Sequence, residues 1–326
     1  MTSMHTWLER HQIPLYLAAL TVGAVVGSAS PESAPVFEHA INPVLIVLLY
    51  ATFLAVPFAS IGKALKDTRF LAAAVLLNFV AVPIVVFALT RPVSGNEAVL
   101  VGILLVLLAP CIDYVIVFSG LAGAASQRLL AAAPLLMLLQ IAFLPLYLWM
   151  FVGSDVVSAI DVTPFAEAFF LLVVVPLGSA AVTQAVARRH TIGRRIMDVA
   201  AAAMVPLMMA TLLVVVASQI DSVRGRGTEL ASAVAVFIAF LVVMAFVGLA
   251  AGRIARQDVP ATRALVFSGA TRNSLVVLPL ALALPDSLSV AAVVVVTQTL
   301  VELVGMVAYV RLVPLLVPSR KRGRRV

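Results

Sequence analysis

Leu108-Ala109-Pro110-Cys111-Ile112-Asp113-Tyr114-Val115-Ile116-Val117-Phe118-Ser119-Gly120 lies in the middle of a long apolar run. Three of its residues do not suit a segment that only crosses lipid. Pro110 removes a helical hydrogen bond and clashes with the preceding turn. Asp113 puts a carboxyl group where a lone charge costs about 3 kcal/mol even on the insertion scale. Cys111 is the single cysteine of the chain. The stretch reads as a discontinuous membrane helix whose break lines a site.

The rest of the sequence sets that break in a membrane protein. The chain has 326 residues, 63% of them hydrophobic and 11% charged, with a mean hydropathy of +1.14. No soluble domain of this size has that balance, so the class is an all-α polytopic membrane protein. Ten apolar segments reach spanning length, at approximately 13–30, 40–60, 70–90, 98–123, 129–151, 165–187, 196–219, 230–252, 261–284 and 287–316. Ser28-Ala29-Ser30 faintly resembles a cleavage site, but the first segment is needed for the repeat described below and is read as a span.

The net charge of +7 sits in short connections, which points to membrane topology and not to nucleic acid. Most of the 22 basic residues fall in alternate connections: Arg10; Lys63, Lys66 and Arg69; Arg128; Arg188, Arg189, Arg194 and Arg195; Arg253, Arg256 and Arg263; and the tail from Arg320 to Arg325. The opposite connections hold Arg91, Arg224 and Arg226 beside Glu32, Glu38, Asp155, Asp161 and Asp286. The positive-inside rule then puts both termini in the cytoplasm, in a multi-pass protein of the cell membrane.

Ten spans divide into two fives, and an odd number per half makes the halves inverted repeats. The fourth span of each half is the irregular one. In the second half it reads Phe267-Ser268-Gly269-Ala270-Thr271-Arg272-Asn273-Ser274-Leu275-Val276-Val277-Leu278-Pro279, with a cation in mid-span among small and polar residues. Cys111 and Asn273 stand close to half the chain apart. Paired interruptions in two halves are the best sequence pointer to a transport site, so the fourth and ninth helices are expected to be broken and to cross.

Cys111, Asp113, Arg272 and Glu302 are the ionisable groups expected well inside spans. At a crossing, Asp113 and Arg272 come together as a buried ion pair, which either locks the crossing or titrates with transport. Cys111 is a soft ligand if its thiolate forms, and otherwise a small buried apolar residue. Glu302, one turn after Gln298, is a candidate proton carrier or a structural hydrogen-bonding group. Asn78 and Gln140 read as interhelical hydrogen-bond partners. No phosphate-binding glycine loop is present, and His5, His11, His39 and His190 form no metal motif. Cys111 and Asp113 lack an intramembrane histidine as base, which disfavours an enzyme. No cofactor is expected.

With these residues in view, the chain resembles the bile acid/sodium symporter superfamily, and within it the arsenical-resistance arsenite efflux permeases. Those permeases carry a fourth span like A-R-C-I-A-M-V-I-V-W-N, which Ala109 to Ser119 resembles, and their essential cysteine falls on Cys111. Their glutamate in the last span falls on Glu302. The symporters' Q-N-S falls on Arg272, Asn273 and Ser274, and their sodium-binding glutamate falls on Ser268. Pro110 and Asp113 replace an arginine and an alanine of the permease pattern.

The resemblance implies a panel domain (residues 1–66 and 153–225) rocking against a core domain (67–152 and 226–326). It also implies arsenite efflux by proton exchange, with Cys111 as a transient arsenite ligand. Asp113, Arg272, Asn273 and Ser274 would complete the substrate site, and Glu302 or Asp113 would carry the proton. The alternative is a small organic anion whose carboxylate binds Arg272. Losing the acid at Ser268 and gaining Arg272 disfavours sodium, because a guanidinium can stand in for the bound ion.

Overall fold

A chain this apolar must satisfy its backbone polar groups within each segment, and helices do so. The computed structural model describes residues 7–8, 11–55, 67–111, 114–153, 170–220 and 227–318, and among these no β-strand occurs. The helices are α1 (Gln12–Ala29), α2 (Ala34–Ala55), α3 (Thr68–Leu76), α4 (Val82–Thr90), α5 (Glu97–Leu107), α6 (Tyr114–Leu121), α7 (Ser126–Val152), α8 (Val175–Ala187), α9 (Thr191–Gln219), α10 (Gly227–Ile254), α11 (Val259–Ala270), α12 (Ser274–Leu282) and α13 (Val290–Leu316). Asp113, Arg10, Lys63, Lys66, Asp155, Asp161, Arg224, Arg226 and the tail from Arg320 lie outside the described residues.

Among the described residues, six helices are long and apolar enough to cross a membrane: Pro31–Ala55, Thr68–Val93, Leu135–Val152, Thr191–Ser218, Leu230–Ile254 and Val290–Leu316. The outward faces of these and neighbouring helices carry exposed Leu76, Ile84, Phe87, Val182, Val199, Phe246, Val304 and Leu315, an apolar exterior suited to lipid. Two segments begin elsewhere than their hydropathy indicates. The second starts at Ala34, and the last at Val290 because Asp286–Leu288 forms a 3-10 turn.

α3 and α4 are one rod joined by a π-helical turn, Leu77–Ala81. Such a turn takes a carbonyl out of the regular ladder. The hydroxyl of Tyr147 on α7 donates to the Phe79 carbonyl. The interruptions that matter most are those between α5 and α6 and between α11 and α12. At 1.5 Å per residue, none of these four helices spans a hydrocarbon layer of about 30 Å by itself.

Packing gathers the helices into two groups. α9 lies against α1 and α2, and α8 against α2 and α9. Tyr50 and Thr183 share a hydrogen bond of 2.7 Å, and Gln184 donates to the Leu54 carbonyl at 3.1 Å, both joining α2 to α8. In the other group α10 packs on α11 and α13, and α13 on α5 and α12. Close approach in each group depends on glycine. A Cβ at Gly23 would lie 2.7 Å from the Leu213 carbonyl oxygen, and one at Gly102 would lie 2.8 Å from that of Ala291. α9 meets α13, and α12 meets α2, where the groups touch.

At one end of the second group, Arg128 reaches Asp258 at 3.1 Å and Asp67 at 3.4 Å. Asp67 and Asp258 also cap α3 and α11 by accepting from Phe70 N–H and Ala261 N–H. Arg263 donates to the carbonyls of Ala122 and Val317. Three connections that carry the sequence's basic residues therefore meet at one end.

Candidate functional site

The two breaks meet. Pro110 and Arg272 face each other in an isolated antiparallel bridge. Its hydrogen bonds come from the flanking residues: Asn273 N–H donates to the Ala109 carbonyl at 2.8 Å, and Cys111 N–H to the Thr271 carbonyl at 3.3 Å. In such a pair, the two residues directly opposed send no N–H across. Proline is therefore tolerated at 110, and the N–H of Arg272 points outward. It donates to Glu302 Oε2 on α13 at 2.8 Å. The same oxygen accepts from the side-chain amide of Gln298, one turn earlier.

Diverting these N–H groups leaves carbonyls behind. In a continuous helix the N–H of residue 111 would serve Leu107, that of 272 would serve Ser268, and that of 273 would serve Gly269. The Arg272 side chain takes their place. Nη1 donates to the Leu107 carbonyl at 3.3 Å, and Nη2 to those of Ser268 at 2.6 Å and Gly269 at 2.7 Å. Nη2 also reaches Asn78 Oδ1 at 2.9 Å. Asn78 is held in turn by donating to the Ala74 carbonyl and Ser268 Oγ, both at 3.0 Å. The guanidinium is 0% exposed. Its carbon lies 5.5 Å from the centre of the Phe240 ring. Carbonyls at the C-terminal ends of α5 and α11 are where a cation is favoured.

Cys111, 3% exposed, sits on the bridge itself. Both Cys111 and Glu302 lie within electrostatic reach of Arg272. Asn273 Oδ1 accepts from Val276 N–H at 3.3 Å and so starts α12. Thr299 of α13 donates to Ser274 Oγ at 2.8 Å. Cys111, Arg272, Asn273, Ser274 and Glu302 are thus brought to one crossing, while the Arg272–Asp113 pair expected there involves a residue outside the described ones. Gln140 is buried on α7. Asn78 is more than the helix–helix partner expected of it, since it is a direct acceptor for the buried guanidinium. Thr299 and the three carbonyls were not foreseen. Only Thr299 had a signal, a hydroxyl between Gln298 and Glu302.

The family model described as Sodium Bile acid symporter family matches residues 42–226, more than half of the chain. The match includes the first break and ends before the second. No curated protein matches the chain.

Proposed function

Because the chain belongs to the sodium bile acid symporter family, we propose that it is a secondary transporter whose substrate passes the crossing of the two broken helices. The observation that carries this reading is the bridge of Pro110 with Arg272, which brings the chain's one thiol and two interrupted helices to one buried point. Irregular backbone at membrane depth is tolerated only where protein or a cavity covers it, and broken helices are how transporters expose polar groups to a solute.

In this reading the helices form ten spans in two inverted fives, with both termini cytoplasmic. α1, α2, α8 and α9 make the panel domain, and the helices around the crossing make the core. Rocking of one against the other opens Cys111 to each side in turn. The substrate is arsenite, leaving the cell. Trivalent arsenic is soft, and a single thiolate holds it briefly; three would bind too tightly for release. Asn273 and Ser274 border the same space. Glu302 takes up and releases the exchanged proton, Asp113 being the second candidate.

Arsenite accumulation in cells without their own efflux pump tests the proposal. The protein should lower accumulation, and Cys111→Ser should abolish the effect with unchanged membrane abundance. Equal accumulation with and without the protein would reject arsenite. The family's own name favours a second reading, a small organic anion drawn to the charge of Arg272 and the N-terminus of α12. Uptake of a labelled organic acid, lost in Arg272→Gln, would identify it.

A further inference from the structure

Leu107 O, Ser268 O, Gly269 O and Asn78 Oδ1 converge on one buried volume. Three of them are carbonyls left over by helix breaks, and all three lie at C-terminal helix ends. Uncharged hard oxygens with the negative ends of two helix dipoles behind them make a site for a small monovalent cation, and half-helix ends of this kind hold coupling ions in transporters. Here the volume holds a cation already, and that cation is covalently part of the chain.

We infer that Arg272 is a tethered replacement for a coupling cation: its guanidinium permanently fills an oxygen cage that would otherwise take Na+, so the protein binds and needs no sodium. Three features of the cage support this. Its oxygens are contributed by α5, by α11 and by the π turn between α3 and α4, so whatever fills it fastens both breaks to a third rod. Asn78 is fixed from two sides with its acceptor oxygen aimed at the guanidinium, a preset geometry and not a chance contact. And emptying the cage would strip three buried carbonyls and an amide oxygen of the guanidinium that they accept from, so the position has to be filled. A free ion would dissociate in each cycle; a side chain does not.

The inference rests on reading the crossing as the transport site, but its test measures cation binding and is independent of any substrate. The purified full-length protein is unfolded thermally in NaCl and in choline chloride at equal ionic strength, for the wild type, Arg272→Gln and Arg272→Lys. The wild type and Arg272→Lys, which keep a fixed cation, should unfold at the same temperature in both salts. Arg272→Gln should unfold earlier in choline chloride and recover by about 3 °C or more in 0.1 M NaCl, since a ligand that binds only the folded state raises its stability.

A wild type stabilised by Na+ would overturn the inference, because the cage would then be open to the ion. So would an Arg272→Gln protein that folds and ignores Na+, because the oxygens would then not form a cation site. If Arg272→Gln fails to fold in either salt, the wild type and Arg272→Lys still decide: sodium dependence in either one overturns it. A failed arsenite assay with these results intact would reject the substrate and leave the tethered cation standing.

Discussion

Arg272 and Glu302 are joined through the backbone, the Arg272 N–H donating to Glu302 Oε2 at 2.8 Å, while the Arg272 guanidinium turns the other way into helix-end carbonyls. One residue thereby ties α13 to the crossing with its main chain and closes two helix breaks with its side chain. Glu302 thus serves the crossing as an acceptor for main chain, beside a guanidinium whose hydrogen bonds go to carbonyls and to Asn78.

Replacing Glu302 with Gln keeps a carbonyl oxygen to accept from Arg272 N–H. The variant should remain folded in the membrane and lose efflux by at least about tenfold, the loss expected where a proton carrier is removed. Glu302→Ala removes the acceptor altogether and should cost about 1–3 kcal/mol, the range for stranding a buried donor. Unfolding in detergent and accumulation in cells, measured side by side, separate the two. Full efflux by Glu302→Gln would remove Glu302 from the coupling step.

Asn78→Leu deletes a neutral acceptor from a buried charge. Hydrogen bonds to charged groups contribute about 1.5–3 kcal/mol, and destabilisation of that size should appear in a denaturant titration. Ser268→Ala should be milder, and the double variant less than additive, because Asn78 bonds both Ser268 and Arg272. Additive losses would mean that the three residues do not act as one network.

Pro110 occupies a bridge position that asks for no N–H. Pro110→Ala should change stability by no more than about 1 kcal/mol, yet it permits α5 to wind further and shift the break. Efflux should fall while unfolding stays nearly unchanged. Unchanged efflux in this variant would show that the break is set by Arg272 alone.

Gly102 lets α5 lie close against α13, with space for no Cβ beside the Ala291 carbonyl. Gly102→Val should destabilise by about 1–3 kcal/mol, the usual cost of overpacking. Gly95, which faces open space, is the control: Gly95→Ala should leave the unfolding curve where it was.

The two breaks were legible in the sequence because Pro110 and Arg272 violate membrane rules that most of the residues in their spans obey. Cys111 and Glu302 stood out for the same reason, and the crossing brings all four together. What holds Arg272 was not legible, for a physical reason. Three of its acceptors are main-chain carbonyls at Leu107, Ser268 and Gly269, and a carbonyl leaves no trace in residue type. The fourth, Asn78, is a single polar residue whose meaning depends on which way the turn between α3 and α4 faces. The π turn at Leu77–Ala81 was hidden likewise, since nothing in Leu-Asn-Phe-Val-Ala departs from an ordinary helix.

The fixed place of the guanidinium has an electrical consequence. Moving one elementary charge through the membrane potential is worth about 2.3 kcal/mol per 100 mV. A free coupling ion crosses that whole field and is released, whereas a positive group fastened to the ends of α5 and α11 is not released on either side. In the proposed cycle it is therefore a charge that never leaves the protein, and the net charge moved per turnover is set by what does leave.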